Sequence, residues 1–207
     1  MAMQRFLFAV LAVLMGLQPA VSRAADSAAD PAVRQIDSFY AALLDTMKRG
    51  EQLGLQGRQR QLTPIVEDVF DLPAMSQLSV GPSWSSLSES ERQAIIEAFK
   101  RMTVANYAKN FAKFAGEKFV VEPAVKMRNS DKIVESKLSG SDGSSVPFNY
   151  RMHLLADKWK VVDIYLNGYV SQLALRRADF SSTIASSGAA GLVKKINEMV
   201  DKQMSGG

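Results

Sequence analysis

Between Lys118 and Asn167 the chain alternates apolar and polar residues and doubles back at three short polar breaks. Alternation with a period of two marks strands that have one covered face, and such short breaks leave no room for a crossover. The expected strands are Lys118–Val125, Lys132–Leu138, Val146–Ala156 and Trp159–Asn167. They are joined through Arg128-Asn129-Ser130-Asp131, Ser139-Gly140-Ser141-Asp142-Gly143 and Asp157-Lys158. Strands connected this tightly must be antiparallel neighbours, so the segment predicts a four-stranded meander.

On either side the apolar spacing lengthens to that of helices. Asp30-Pro31 reads as an N-cap followed by a first-turn proline. Val33, Ile36, Tyr40, Leu43, Leu44 and Met47 then mark a helix closed by Gly50, and Glu51 to Gly57 reads as a glycine-punctuated connection. Leu62, Ile65, Val66 and Val69 form a second helical stretch, with Pro64 either kinking it or marking its true start. Asp71-Leu72-Pro73 opens a short third helix through Leu78, and Val80 to Trp84 reads as a loop. Ser88 and Glu91 have the spacing of a capping box. The helix they open carries Ile96, Phe99, Thr103, Tyr107, Phe111 and Phe114 on one face and is expected to end at Gly116. Two helical segments, about Ser171–Ala185 and Ala189–Gln203, complete one α+β domain over residues 25–207: helices packed against a twisted antiparallel sheet.

The first residues predict an export signal. Arg5 is the basic flank, Phe6 to Leu17 the apolar run, and Ser22-Arg23-Ala24 a cleavage site read after Ala24. The run is shorter than the roughly 20 residues of a membrane span. There is no cysteine, so neither a lipid-bearing N-terminal cysteine nor a disulfide is available. Arg5 and Arg23 leave with the signal and no acid does, which lowers the formal charge from +4 to +2. That balance argues against a nucleic-acid partner. Arg176-Arg177 and Lys194-Lys195 are the pairs that would face an anionic headgroup or an acidic partner.

Reactive constellations are sparse. The single histidine, His153, sits on a strand and reads as structural or as a surface residue. No metal-ligand spacing, nucleophile elbow or phosphate-cradling loop appears. Asp163, inside the apolar run Val161-Val162-Asp163-Ile164-Tyr165, is the one candidate general base. Its bland alternative is a carboxylate bonded to a neighbouring strand or facing water. The register of the last hairpin bears on this. A two-residue loop at Asp157-Lys158 pairs Met152 with Asp163. A three-residue loop, Ala156 to Lys158, pairs Met152 with Val162, Tyr150 with Ile164 and Phe148 with Leu166. One residue of slip flips the strand, and matching apolar to apolar favours the second register. The result is a continuous apolar wall, which either fills a core or lines a cavity.

Several stretches resemble the MlaC (toluene-tolerance) family of periplasmic lipid carriers. Phe70-Asp71-Leu72-Pro73-Ala74-Met75 is similar to that family's Phe-Asp-x-x-x-Met. Trp84-Ser85-Ser86-Leu87-Ser88-Glu89-Ser90-Glu91-Arg92 is similar to its Trp-x-x-Leu-Ser-x-x-Glu-Arg. Phe99 and Tyr107-Ala108 continue in step, and Trp159 to Ile164 with Asn167-Gly168 resembles the signature of the last strand. The usual Gly-Val-Ser-Leu is here Gly168-Tyr169-Val170-Ser171. The family's Asn-Tyr-Arg-x-x-Phe is Leu175-Arg176-Arg177-Ala178-Asp179-Phe180, a divergence that resembles the hopanoid-associated HpnM branch.

The resemblance implies a pocket between sheet and helices that takes lipid tails, either of phospholipid or of hopanoid, with no cofactor. It also implies exchange with an inner-membrane ABC transporter bearing an MCE-domain subunit and with an outer-membrane lipoprotein complex. The wall residues chosen by periodicity are Tyr40, Leu43 and Met47 from the first helix, Phe99, Tyr107 and Phe111 from the long helix, and Phe148, Tyr150, Met152, Val162, Ile164 and Leu166 from the sheet. Two competing readings are an enzyme, with Asp163 as base and Tyr150 or Tyr165 as donor, and a solid-core adaptor with no ligand.

Overall fold

The computed structural model describes residues 29–205, five helices packed against a five-stranded antiparallel sheet. The export segment expected over residues 1–24 lies outside them. No helix among the described residues is long and apolar enough to cross a membrane.

Helix α1 (Pro31–Lys48) begins as its sequence requires: the Asp30 carboxylate accepts from the Ala32 amide at 2.8 Å and Pro31 occupies the first turn. Its buried face is Ile36, Phe39, Tyr40, Leu43 and Met47, spaced at three and four residues. The expected connection over Glu51–Gly57 is instead helical. Helix α2 (Gly50–Val69) follows α1 after Arg49, with one break at Gly54, where φ is 60°. Pro64 lies inside α2 rather than at its start. The junction is tight: a Cβ on Gly50 would sit 1.8 Å from the Ala112 carbonyl oxygen, a separation only glycine permits. Arg58 locks the same place, donating from Nη1 to the Gly50 carbonyl (2.6 Å) and from Nε to the Ala108 carbonyl (2.7 Å).

Helix α3 (Leu72–Val80) is capped by Asp71, whose Oδ1 accepts from the Ala74 amide at 2.9 Å. The segment expected as a loop is a 3₁₀ turn, Gly81–Ser86. Helix α4 (Glu89–Asn110) opens with the capping box, Ser88 and Glu91 each bonding the other's backbone amide. It stops six residues short of Gly116: Phe111 is its C-cap and Phe114 is exposed beyond it. Helix α5 (Gln172–Ser205) comprises the two expected segments, broken at Gly188, where φ is 66°.

The strands are β1 (Lys118–Arg128), β2 (Asp131–Ser139), β3 (Ser145–Leu155), β4 (Lys158–Leu166) and β5 (Val170–Ser171), each beside the next. The meander therefore has five strands, not four. The fifth is two residues long, too short to show alternation; Asn167-Gly168, with φ of 55° and 82°, turns the chain into it.

The last hairpin corrects the expected register in an instructive way. Its loop is two residues, Ala156-Asp157, both with positive φ, so Leu155 faces Lys158 and Met152 faces Val161 rather than Val162. Val162 is then the extra residue of a bulge between Arg151 and Met152, which advances β4 by one. Beyond it Tyr150 faces Ile164 and Phe148 faces Leu166, as apolar matching requires. The core lies between the helices and this wall, uniting Phe39, Tyr40 and Leu43 with Phe99, Val134, Tyr150, Met152 and Val161.

Candidate functional site

Beside that core, α3, α4, the start of α5 and the far ends of β3 and β4 enclose a pocket of about 380 Å³. This exceeds the ~300 Å³ at the lower end of ligand sites, which weighs against a solid-core adaptor. Helix α4 presents two rows to it, each at i, i+4 spacing: Phe99, Thr103, Tyr107 and Phe111, and beside them Met102, Asn106 and Asn110. Met75 from α3, Phe148 from β3 and Ile164 and Leu166 from β4 supply the opposing wall, and Gln172, Leu173 and Arg176 of α5 complete it. A wider concavity of about 900 Å³ around Gly54 and Lys113 differs in carrying several charges in its lining, Glu51, Arg58, Arg60, Lys109 and Lys113, beside Leu53, Leu55 and Met204.

Six of the twelve residues chosen from periodicity line this pocket: Phe99, Tyr107, Phe111, Phe148, Ile164 and Leu166. The other six do not. Tyr40, Leu43, Met47, Tyr150 and Met152 are buried in the contiguous core, and Val162 is buried in the bulge outside it. The division follows from depth: α1 packs straight onto the sheet and fills the space its stripe faces. Tyr40 shows how completely, its ring stacked on Phe119 with centroids 4.2 Å apart. Its hydroxyl lies 2.6 Å from the Ser136 Oγ and donates to the Tyr150 hydroxyl at 3.1 Å. Burial pushes the Tyr40 hydroxyl up to about 12, and raises Tyr107 and Tyr150 above the ordinary tyrosine value as well. Phe39 meets Tyr107 edge-on at 5.3 Å and Tyr107 stacks on Phe111 at 5.7 Å, so the pocket rests on a bed of aromatic rings.

Met102, Asn106, Asn110, Gln172 and Leu173 were not among the expected wall residues, and Arg176 was expected, with Arg177, to face an anionic headgroup or an acidic partner rather than to line the pocket. The row Met102–Asn106–Asn110 runs alongside the aromatic stripe, one residue out of step with it. Leu173, Arg176 and Phe180 have the i, i+3, i+7 spacing of an inward face, and that spacing is the signal that Arg176 points inward.

Asp163 does not line the pocket. Its Oδ2 accepts from the Ser171 hydroxyl at 2.6 Å, and its Oδ1 from the amides of Ile164 (2.8 Å) and Leu173 (3.3 Å). Ser171 in turn accepts from the Ala174 amide at 3.0 Å. The pair caps α5, placing a carboxylate at the helix end that favours negative charge, and so positions Leu173 and Arg176. His153 is engaged likewise: its Nε2 lies 2.7 Å from Oδ2 of Asp71, tying β3 to the start of α3. Among the described residues no group of three or more His, Cys, Asp or Glu side chains is gathered to hold a metal ion. The pocket's side chains can exclude water and donate hydrogen bonds; none is a nucleophile paired with a base.

Among curated proteins none matches the sequence. Among solved structures, the chain shares its fold with the phospholipid-binding protein from Ralstonia solanacearum in complex with a phospholipid. The two are 22% identical, over 84% of this chain and 99% of that one, with a TM-score of 0.73. The family profile described as MlaC protein matches residues 37–198, and the chain belongs to the MlaC family.

Proposed function

We propose that this protein is a lipid carrier: it holds hydrocarbon in the pocket between α4, α5 and the sheet, and performs no chemistry on it. The observation that carries the reading is the pocket's lining: aromatic and aliphatic side chains from both layers, joined by Thr103, Asn106, Asn110, Gln172 and Arg176, with no carboxylate, histidine or metal cluster among them. Family membership and the phospholipid bound by the Ralstonia solanacearum protein support it.

Burying a methylene is worth ~0.8 kcal/mol, so a ~16-carbon chain forfeits ~12 kcal/mol on entering water unaided. A carrier removes that barrier by giving the chain an equivalent surface. At roughly 30 Å³ per methylene, about the share of a liquid water molecule, the pocket has room for a dozen or so. That is about three-quarters of such a chain, so a two-chain lipid requires its walls to part.

The working protein is residues 25–207, exported to the periplasm after cleavage near Ala24. It exchanges cargo with an inner-membrane ABC transporter bearing an MCE-domain subunit and with an outer-membrane lipoprotein complex. The cargo is a phospholipid or, by the divergence at Leu175–Phe180, a hopanoid. Solvent extraction of purified protein followed by mass spectrometry tests the proposal and separates the two cargoes. Phospholipid or triterpenoid masses at a stoichiometry approaching one are expected. An empty protein that also takes up no labelled lipid refutes it.

A further inference from the structure

One charged side chain lines the pocket, and its surroundings are unusual. Arg176 lies in the second turn of α5, half-buried, on the same face as Leu173 and Phe180. Its one hydrogen bond among the described residues runs from Nη1 to the Met102 Sδ at 3.5 Å, a weak acceptor. No described carboxylate lies within ion-pairing reach of it. The acid one turn on, Asp179, is in contact with Lys195 and acts on Arg176 only at a distance, through its charge. Most of the guanidinium's five N–H donors thus have no protein partner among the described residues, in a site whose other walls include Phe99, Met102 and Leu173. Burial there already pulls the group below its ordinary value. A cation withdrawn from water and left unmatched is costly, whereas one that meets an oxyanion in a dry pocket is strongly attracted to it. The neighbouring polar wall residues, Asn106, Asn110 and Gln172, carry neutral amides, so no carboxylate lines the pocket beside the guanidinium.

We propose that Arg176 is the headgroup-selecting residue of the pocket, its planar fork gripping the anionic oxygens of an amphiphile whose alkyl chain lies between α4 and β3–β4. This rests on the carrier reading and narrows it: the cargo has a negative charge joined to its hydrocarbon, the chemistry of a phosphate ester or of a fatty acid carboxylate, and not that of a neutral polycycle. Guanidinium suits either oxyanion, since two parallel N–H donors match two oxygens.

The test uses three probes that share one saturated chain: hexadecanol, hexadecanoate and hexadecyl phosphate. Each is titrated against the lipid-stripped full-length protein by displacement of a fluorescent alkyl probe. The wild type is expected to prefer the anionic heads over the alcohol by about tenfold or more, the worth of a charge-assisted fork. In R176M that ratio falls to near one. R176K keeps the charge without the fork and falls between. R177Q, which removes the neighbouring exposed charge, leaves the ratio at its wild-type value. Circular dichroism confirms that each variant is folded. A stronger preference for the phosphate points to phospholipid, and for the carboxylate to free fatty acid; both support the assignment. Equal binding of all three probes by the wild type, or a ratio unaltered in R176M, overturns it while leaving the carrier standing. Failure of the wild type to bind any of the three overturns both.

Discussion

The pocket and the core share one sheet, and two residues on β3 separate them experimentally. Phe148 is half-buried and faces the pocket; Met152, four residues along the same strand, is wholly buried in the core. A buried aromatic side chain covers ~150–250 Å². Phe148 is partly open, and a guest chain covering on the order of 40–80 Å² of it would gain ~1–2 kcal/mol at ~25 cal/mol per Å². Phe148→Ala should therefore weaken alkyl-chain affinity by about 5- to 30-fold. Its stability cost should stay under ~2 kcal/mol, because the ring is incompletely packed to begin with. Met152→Ala leaves a hole in a filled core, a change that typically costs ~2–5 kcal/mol. For a domain of this size that lowers Tm by roughly 4–20 °C. Its lipid affinity, measured well below the transition, should remain within about threefold of wild type. Urea melts and displacement of a fluorescent fatty acid supply the two readouts. If Met152→Ala, while folded, loses as much affinity as Phe148→Ala, the division of this wall into core and pocket is wrong.

Three further outcomes follow from the same geometry. Asp163→Asn should cost about 1–3 kcal/mol and loosen the start of α5, through weakened bonds to Ser171 and the Leu173 amide rather than through any lost turnover; hydrogen exchange at Leu173–Phe180 checks it, and undiminished protection there refutes it. Arg58→Met should cost ~2–4 kcal/mol, since the carbonyls of Gly50 and Ala108 lose a buried donor, and Arg58→Lys should recover only part of this in chemical denaturation. The buried tyrosines set an alkaline limit. Their folded values lie above the unfolded value near 10, so the native state keeps protons that the unfolded chain gives up. Stability is fully present below pH 10 and falls as pH climbs toward the folded values, by about 2 kcal/mol by pH 12 for Tyr40 alone. Tyrosinate absorbance should show Tyr40, Tyr107 and Tyr150 ionising together with the loss of structure, and earlier ionisation of all three in a folded protein would refute it.

Much of this was legible in the residues. The capping box of α4, the proline-led start of α1 and the successive short turns of the meander are local signals, and local chemistry decided them. What escaped needed knowledge of depth. Tyr40 and Leu43 have the same periodicity as Phe99 and Tyr107, yet α1 rests against the sheet while α4 stands away from it, a distinction of distance that spacing does not encode. The bulge at Val162 escaped for a different reason. Sequence matching sought a single register for the whole hairpin, but the positive-φ pair Ala156-Asp157 closes the tighter loop and the strand regains its phase six residues later. The long helix was overextended because Phe114 continues the stripe in sequence after the backbone has left the helix. Arg176 stood out in the sequence only as half of the Arg176-Arg177 pair that would face an anionic headgroup or an acidic partner; that it, and not Arg177, lines the pocket follows from its spacing with Leu173 and Phe180.

Strand β1 lies at the rim of the sheet, eleven residues long and with one side unpartnered. Midway along it, Glu122, Pro123 and Ala124 stand opposite the single residue Glu135, so the strand buckles, and Pro123 offers no N–H there. An incoming extended chain meets an acid, a missing donor and a crooked row instead of a template. The rim of the sheet thereby discourages the edge-to-edge pairing from which fibril-like stacking grows.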